Sequence, residues 1–338
     1  MKKSQKSLLI QIGILALLLL AIGGYYLMKI LPGIRAEKES GAVQIIEGID
    51  KEDVVGIEVA FSDDNGIYHS VLNKIDNEWH IVFPIQYKAD PSRIEKMLSD
   101  LWELRSEEVI TNVTEDKIAE FGFDEPLSMV KLGLESGTQF EILNGRLATV
   151  ENYYYTMVNH DSNDIYVIYA YRFTHSERTP DELAYKEIFQ KLPIPAINSI
   201  EVKSSEGVVY RFNRMKVDGE QEWVMRAPLT KKVGSFEVRR KIMQLYPLGF
   251  SHFTHYDRDP QLLRHYGLDN PKYYAKLTSE DGQAIDLYIS EKTNAEHHYA
   301  YSPLIPGIVE IHKSDIGDKF DFSVDEFLET QSADGEEN

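Results

Sequence analysis

The chain carries one pattern twice, and no other feature restricts its fold as strongly. Ile57-Glu58-Val59 is answered by Ile200-Glu201-Val202, and Glu78-Trp79 with Pro84 by Glu222-Trp223 with Pro228. Ile94, Leu98, Leu101 and Leu104 then recur as Val238, Ile242, Leu245 and Leu248, at helical spacing that predicts a core-facing stripe. Phe121-Gly122-Phe123-Asp124-Glu125-Pro126 matches Tyr266-Gly267-Leu268-Asp269-Asn270-Pro271, 145 residues later. Such a period is too long for a solenoid and indicates domain duplication.

The sharpest repeated motif reads as structural punctuation. A short helix is expected before it in each copy, capped by Thr114 in the first and by Asp259 followed by Pro260 in the second. Gly122 and Gly267 are expected to end those helices in a left-handed conformation, and the following Pro126 and Pro271 prevent their resumption. Lys131-Leu132 and Lys276-Leu277 then lead into hairpins with Ser136-Gly137 and Asp281-Gly282 at the turns. Each copy closes on a further strand pair, Tyr153–Met157 with Ile165–Tyr169 and His298–Ser302 with Ile308–His312. An amphipathic helix over about Pro180–Leu192 and a Pro193-Ile194-Pro195 break are expected to join the copies.

From Leu8 to Met28 the sequence is almost wholly apolar, with Gln11 the one strongly polar side chain. At about 1.5 Å per residue this run is long enough for a ~30 Å hydrocarbon core. It is too long for the apolar region of a signal peptide, and no small-residue cleavage site follows Gly23-Gly24. Lys2, Lys3 and Lys6 place the amino terminus in the cytoplasm and the bulk of the chain outside it, with the lipid bilayer as a partner. The expected fold is α+β: an N-terminal transmembrane helix followed by two similar, duplicated α+β domains with antiparallel sheets. The expected boundaries are a cytoplasmic terminus 1–7, an anchor 8–31, a linker 32–52, domains 53–178 and 197–328 around a connector 179–196, and an acidic tail 329–338.

Beyond Arg35 the chain carries 31 basic against 55 acidic residues, which disfavours nucleic acid as a partner. The absence of cysteine removes disulfides, thiolate metal sites and cysteine nucleophiles.

The candidates for a metal site are His252, His255 and Asp257. Two histidines three apart on a strand point to opposite faces, and the first copy has Glu107 and Ile110 in their places, so no metal is expected. His297 and His298 are adjacent and read as a polar strand start. Tyr153, Tyr154, Tyr155, Tyr166, Tyr169 and Tyr171, with Tyr273, Tyr274, Tyr299 and Tyr301, read first as sheet packing and second as a glycan or peptide groove. Asp63-Asp64, Glu107-Glu108 and Asp318–Asp321 read as solvated loops. There is no phosphate-binding loop, nucleophile elbow or helical zinc motif, so neither catalytic residues nor a cofactor are expected.

Trp79, Pro84, the Ala89-Asp90 helix start and Gly122, Asp124 and Pro126, repeated as Trp223, Pro228, Gly267, Asp269 and Pro271, resemble a bacterial family termed domain of unknown function 4340 (DUF4340). The chain departs from it at Phe123, where leucine is usual, and at Gly234, which replaces the helix-start aspartate. Members of that family look like partners of ABC-type export systems with a gliding-motility-like auxiliary subunit. The resemblance implies a non-enzymatic extracytoplasmic accessory or scaffold subunit whose partners are an ABC permease and auxiliary membrane chains. The alternatives are a cell-envelope glycan or peptide binding module and, third, a metal-dependent enzyme.

Overall fold

The structure, a computed structural model, describes residues 42–114, 118–148 and 152–328. In the first copy the elements are β1 (Val43–Gln44), β2 (Val54–Asp63), β3 (Gly66–Ile75), β4 (Glu78–Phe83), β5 (Tyr87–Lys88), helix α1 (Pro91–Trp102), β6 (Arg105–Ser106), β7 (Glu108–Thr111), β8 (Ser128–Leu134), β9 (Gln139–Leu147), β10 (Tyr153–Val158) and β11 (Asp161–Tyr169). After helix α2 (Pro180–Leu183) come β12 (Ile197–Lys203), β13 (Val209–Val217), β14 (Glu220–Ala227), β15 (Lys231–Val233), helix α3 (Ser235–Leu245), β16 (His252–His255), helix α4 (Pro260–His265), β17 (Tyr273–Ser279), β18 (Ala284–Thr293), β19 (His297–Tyr301), β20 (Ile308–His312) and helix α5 (Asp325–Leu328).

The strands form two nine-stranded sheets with one topology. The first runs β5-β4-β3-β2-β8-β9-β10-β11-β7 and the second β15-β14-β13-β12-β17-β18-β19-β20-β16, while β1 and β6 pair separately. Strand for strand these orders are equivalent, and the repeated motifs fall on equivalent elements. Peptide bonds Phe83-Pro84 and Ala227-Pro228 are both cis. The described chain divides into two compact units, one ending at Val54 and resuming over Phe61–Asn65 and Lys96–Glu177, the other formed by Val55–Ala60, Gly66–Glu95 and the residues from Arg178.

The expected fold class, a transmembrane helix followed by duplicated α+β domains, is therefore corrected to a predominantly antiparallel β architecture. Helix is scarce because the periodic segments are short, and α1 and α3 are the two longest helices among the described residues. Among those residues no helix is long and apolar enough to cross a membrane. The span expected over 8–31 lies outside the described residues, as do the 1–7 terminus, the start of the 32–52 linker and the 329–338 tail.

The connector also differs from its expected helix. Thr179 and Glu182 form a capping box around Pro180, yet the helix stops at Leu183. Beyond it the backbone runs extended within the second unit. Leu183 and Lys88 carbonyls accept from Asp90 and Tyr185 amides at 2.8 and 3.0 Å, and Lys186 and Leu248 carbonyls accept from Phe250 and Ile188 amides at 3.1 and 3.0 Å. An extended chain can bond outward on both edges, which a helix forgoes by bonding to itself. Leu183, Ala184, Ile188, Phe189 and Leu192 are all buried, so the apolar spacing that suggested one helix serves a helix end, a short extended stretch and a turn in which the Leu192 amide donates to the Phe189 carbonyl at 3.1 Å.

The helix starts and glycine stops follow from local chemistry. The Asp90 carboxylate accepts from the Ser92 amide at 2.9 Å and caps α1, whereas Gly234 offers α3 no side-chain cap. Asp259 accepts from the Gln261 and Leu262 amides at 2.7 and 2.8 Å at the start of α4. The helix expected after Thr114 falls partly on residues 115–117, outside the described set. Gly122 and Gly267 have φ of +81° and +69°, in the left-handed region. Space also restricts both positions. A Cβ on Gly122 would lie 2.8 Å from the Arg146 nitrogen, and one on Gly267 would lie 2.9 Å from the Ser290 hydroxyl.

Gly282, at the β17–β18 turn, has φ of +86° with nothing within 4 Å of its would-be Cβ. Gly282→Ala is accordingly expected to cost about 1 kcal/mol from backbone strain alone. Gly267→Ala should cost about 2 kcal/mol or more because strain and overlap add. Urea-unfolding midpoints of the two variants test this, and equal losses would show that the approach to Ser290 is slack.

Candidate functional surfaces

The arrangement closest to chemistry is a buried polar row in the first sheet. Register places Ser128 of β8 opposite Asn144 of β9, and Asn144 opposite Thr156 of β10. All three are buried. The Thr156 hydroxyl donates to Asn144 Oδ1 at 2.8 Å, Asn144 Nδ2 donates to Ser128 Oγ at 2.9 Å, and Ser128 Oγ donates to the Glu177 carboxylate at 2.8 Å. Burial pushes the Glu177 carboxyl above its usual range, an effect that hydrogen bonds from Ser128 and Tyr154 only partly offset. Burial, reinforced by the nearby Glu177 charge, pushes the Tyr154 hydroxyl up to about 12.

A hydroxyl beside a carboxylate of raised pKa has the outline of a nucleophile and its base. Access decides against that role: Ser128 is only 3% exposed, and each polar atom of the row is taken up by the next. The row is a closed ladder that satisfies polar groups on a buried face. None of these residues was singled out from sequence. A signal was present in the repeat, since the second copy has Tyr273, Ile289 and Ala300 in the same paired positions.

The opposite face of the same strands holds a second row, Met129, Leu143 and Met157, paired in register. Leu143 and Met157 pack in a cluster with Ile165, against which Ile110, Val113, Ile118, Phe121, Phe123 and Tyr155 lie. In the second sheet the equivalent row is Tyr274, Tyr288 and Tyr301. Their centroids are 4.9 and 4.6 Å apart, and Tyr288 stacks on Tyr301 at 12°. The Arg258 guanidinium lies 5.2 Å from the Tyr301 ring, and the Tyr274 hydroxyl donates to Asp286 at 2.6 Å. Burial raises the hydroxyl pKa of all three tyrosines. Tyr288 and Tyr301 stack face to face and Tyr274 is tilted at 36° to Tyr288, so the facing ring surfaces are covered, whereas a sugar stacks on an open ring face.

The other tyrosines scatter. Tyr153, Tyr169 and Tyr171 form an edge-exposed group, with ring centroids 4.9 and 4.6 Å apart and Arg172 over Tyr171. Tyr155 packs on Phe121, Tyr299 on Tyr266, and Tyr273 on Phe320. Tyr166 is half-buried in β11.

The metal candidates do not converge. His255 shares a 2.9 Å hydrogen bond with the Tyr266 hydroxyl, His252 packs edge-on to His297 at 5.3 Å, and Asp257 is exposed in the loop that follows. His297 also meets His312 at 5.2 Å and the Glu310 carboxylate at 3.6 Å, but that carboxylate already accepts from Thr254 and Asn294. His298 turns to the Ser290 carbonyl at 2.9 Å, and burial lowers its pKa. Among the described residues no group of three or more histidines and carboxylates is placed to hold a metal ion.

The paired carboxylates lie on the surface. Asp63, Asp64, Glu107, Glu108, Asp318 and Asp321 are exposed; Asp63 accepts from the Asn65 amide in a turn, and Glu107 accepts from Tyr153. Among the motif residues, Trp223 is buried and Trp79 half-buried, while Asp124, Pro126 and Asp269 are exposed at the turns. In the second unit an open cleft of about 580 Å³ is lined by residues that include His80, Tyr87, Lys191 and Leu304. A Glu78–Lys88 pair at 2.8 Å lies in its wall beside Lys191.

Two measurements follow. Since the folded-state pKa of Glu177 is raised, the folded protein binds more protons than the unfolded chain between the two values, and stability falls as pH rises through that window. Glu177→Gln should therefore gain stability relative to the wild-type protein at pH 7 and lose that gain at pH 4. An advantage that is the same at both pH values would mean that the carboxyl titrates normally. Zinc titrated into the wild-type protein and into the triple variant His252→Ala, His255→Ala, Asp257→Ala is expected to give the same calorimetric isotherm; loss of a saturable phase in the variant would restore the metal reading.

A family model described as "Domain of unknown function (DUF4340)" matches residues 79–271, from Trp79 of the first copy to Pro271 of the second. Neither a curated protein nor a solved structure matches the chain. The matched stretch covers more than half of the sequence and contains Trp79, Pro84, Gly122, Asp124, Pro126, Trp223, Pro228, Gly267, Asp269 and Pro271, and the chain belongs to the DUF4340 family.

Proposed function

We propose that the chain is a non-enzymatic extracytoplasmic accessory or scaffold subunit at the cell membrane, working beside an ABC-type permease and its auxiliary chains. The observation that carries this reading is the closure of the Ser128–Asn144–Thr156–Glu177 row. This cluster of a carboxylate of raised pKa and a neighbouring hydroxyl uses its hydrogen-bonding capacity internally, with Ser128 shut off from solvent. Two broad sheets supply surface for contact with other proteins. The apolar run Leu8–Met28 behind Lys2, Lys3 and Lys6 supports the location, and the family resemblance supports the type of partner. The glycan-binding alternative draws little from the second copy, because its most regular tyrosines face one another.

Crosslinking in intact cells of the native host, followed by purification through a tag on the full chain, tests the reading. Permease or auxiliary membrane chains should be enriched over a mock purification. Recovery of the protein alone, with no membrane chain enriched, would count against it decisively.

A further inference from the structure

Helices α1 and α3 hold the same position in the repeat and bury the same stripe. Ile94, Leu98 and Leu101 of α1 and Val238, Ile242 and Leu245 of α3 are all buried. Their outward faces have diverged. Where α1 has Ser92, Glu95, Lys96 and Ser99, α3 has Phe236, Arg239, Arg240 and Met243. Phe236 is 74% exposed and Met243 54%. The spacing i, i+3, i+4, i+7 places all four side chains along one stripe.

The fold does not require this stripe, since α1 occupies the equivalent position with serines and a glutamate. Arg240 is held by Glu326 at 3.0 Å, while Arg239 is exposed. In a chain of net charge −19, two arginines between two exposed apolar side chains reverse the prevailing sign locally. Phenylalanine, methionine and arginine are also the side chains enriched in protein interfaces. The stripe matches the spacing of a helix laid into a groove.

We infer that the outward face of α3 is a docking surface for a partner protein, seating Phe236 and Met243 in an apolar groove whose rim supplies a carboxylate to Arg239. This deepens the proposed function and rests on it, by naming the face through which the subunit is held. A bilayer is the poorer occupant. The other side of α3 is committed to the protein's own core, and the outward side has two apolar groups separated by arginines, whereas an interfacial helix presents a continuous apolar face.

The test uses the full chain in its native host. Phe236→Ser, Arg239→Glu and Met243→Ser together give α3 the residues that α1 carries at the same places, so folding should persist, as an unchanged unfolding midpoint would verify. This variant should recover the membrane chains about tenfold less than the wild-type protein does. A photocrosslinking p-benzoylphenylalanine at position 236 should form an adduct with a partner peptide that combines apolar residues with Asp or Glu, and the same group at position 92 should not. Changing the mapped carboxylate to lysine should restore binding to the Arg239→Glu single variant. A phospholipid adduct, an adduct with a second copy of the chain, or no adduct would overturn the docking assignment. If the wild-type protein recovers membrane chains and the triple variant recovers them equally, the docking face is wrong while the accessory reading stands. If the wild-type protein recovers none, both fall.

Discussion

The organisation of both sheets turns on one close approach, that of the turn carrying Gly122 or Gly267 to the neighbouring strand. In the first copy a Cβ at position 145 would lie 2.1 Å from the Phe121 carbonyl oxygen, so only glycine fits there. In the second copy the equivalent strand residue is Ser290, whose hydroxyl donates to the Tyr266 carbonyl at 2.5 Å. A steric accommodation in one copy is a hydrogen bond in the other. Both satisfy a helix-end carbonyl or make room for it beside the strand, and both require the chain to reverse through a left-handed glycine immediately afterwards.

Around that shared backbone constraint the side chains have moved independently. One face of β8–β9–β10 carries Ser128, Asn144 and Thr156, where β17–β18–β19 carry Tyr273, Ile289 and Ala300. The opposite face has Met129, Leu143 and Met157 against Tyr274, Tyr288 and Tyr301. Polar and apolar character has thus been exchanged between copies without any change of strand order. Side chains opposite one another across strands interact directly, so a change in one member of a row bears on the others. The polar row closes by hydrogen bonds and the tyrosine row by ring stacking. Each also draws on a charged side chain beside it, Glu177 for the polar row and Arg258 for the tyrosines.

This explains what could be read from the sequence and what could not. The repeat, the hairpin turns at Gly137 and Gly282, the Asp259 cap and the left-handed Gly122 and Gly267 depend on residues close together in sequence, where local geometry selects the residue type. The cross-strand rows depend on register, which joins Ser128 to Asn144 and Tyr288 to Tyr301 through pairings that linear spacing does not announce. The connector departs from its expected helix for a different reason. Apolar residues at Leu183, Ile188 and Leu192 fit a helical stripe, but the backbone there bonds outward to Lys88, Asp90, Leu248 and Phe250, and those tertiary partners override the local period. Strand alternation does not separate the histidines at 252 and 255, because a bulge between Phe253 and His255 pairs them with Glu310 and Ile308, two apart on one face; they are held apart instead by different partners, His297 and Tyr266, from other elements.

The same divergence bears on how so acidic a chain can associate with anything. At physiological salt the field of a net charge of −19 is screened within about 8 Å, so distant surface charge contributes little once two proteins touch. What matters at contact is the local composition of the surface. Most of this surface is poorly suited to desolvation: exposed carboxylates such as Asp124, Asp269, Glu107 and Asp318 hold their water strongly. A guanidinium is more weakly hydrated, and exposed Phe and Met side chains gain by leaving water. The α3 stripe therefore combines the groups that lose least on contact with those that gain most.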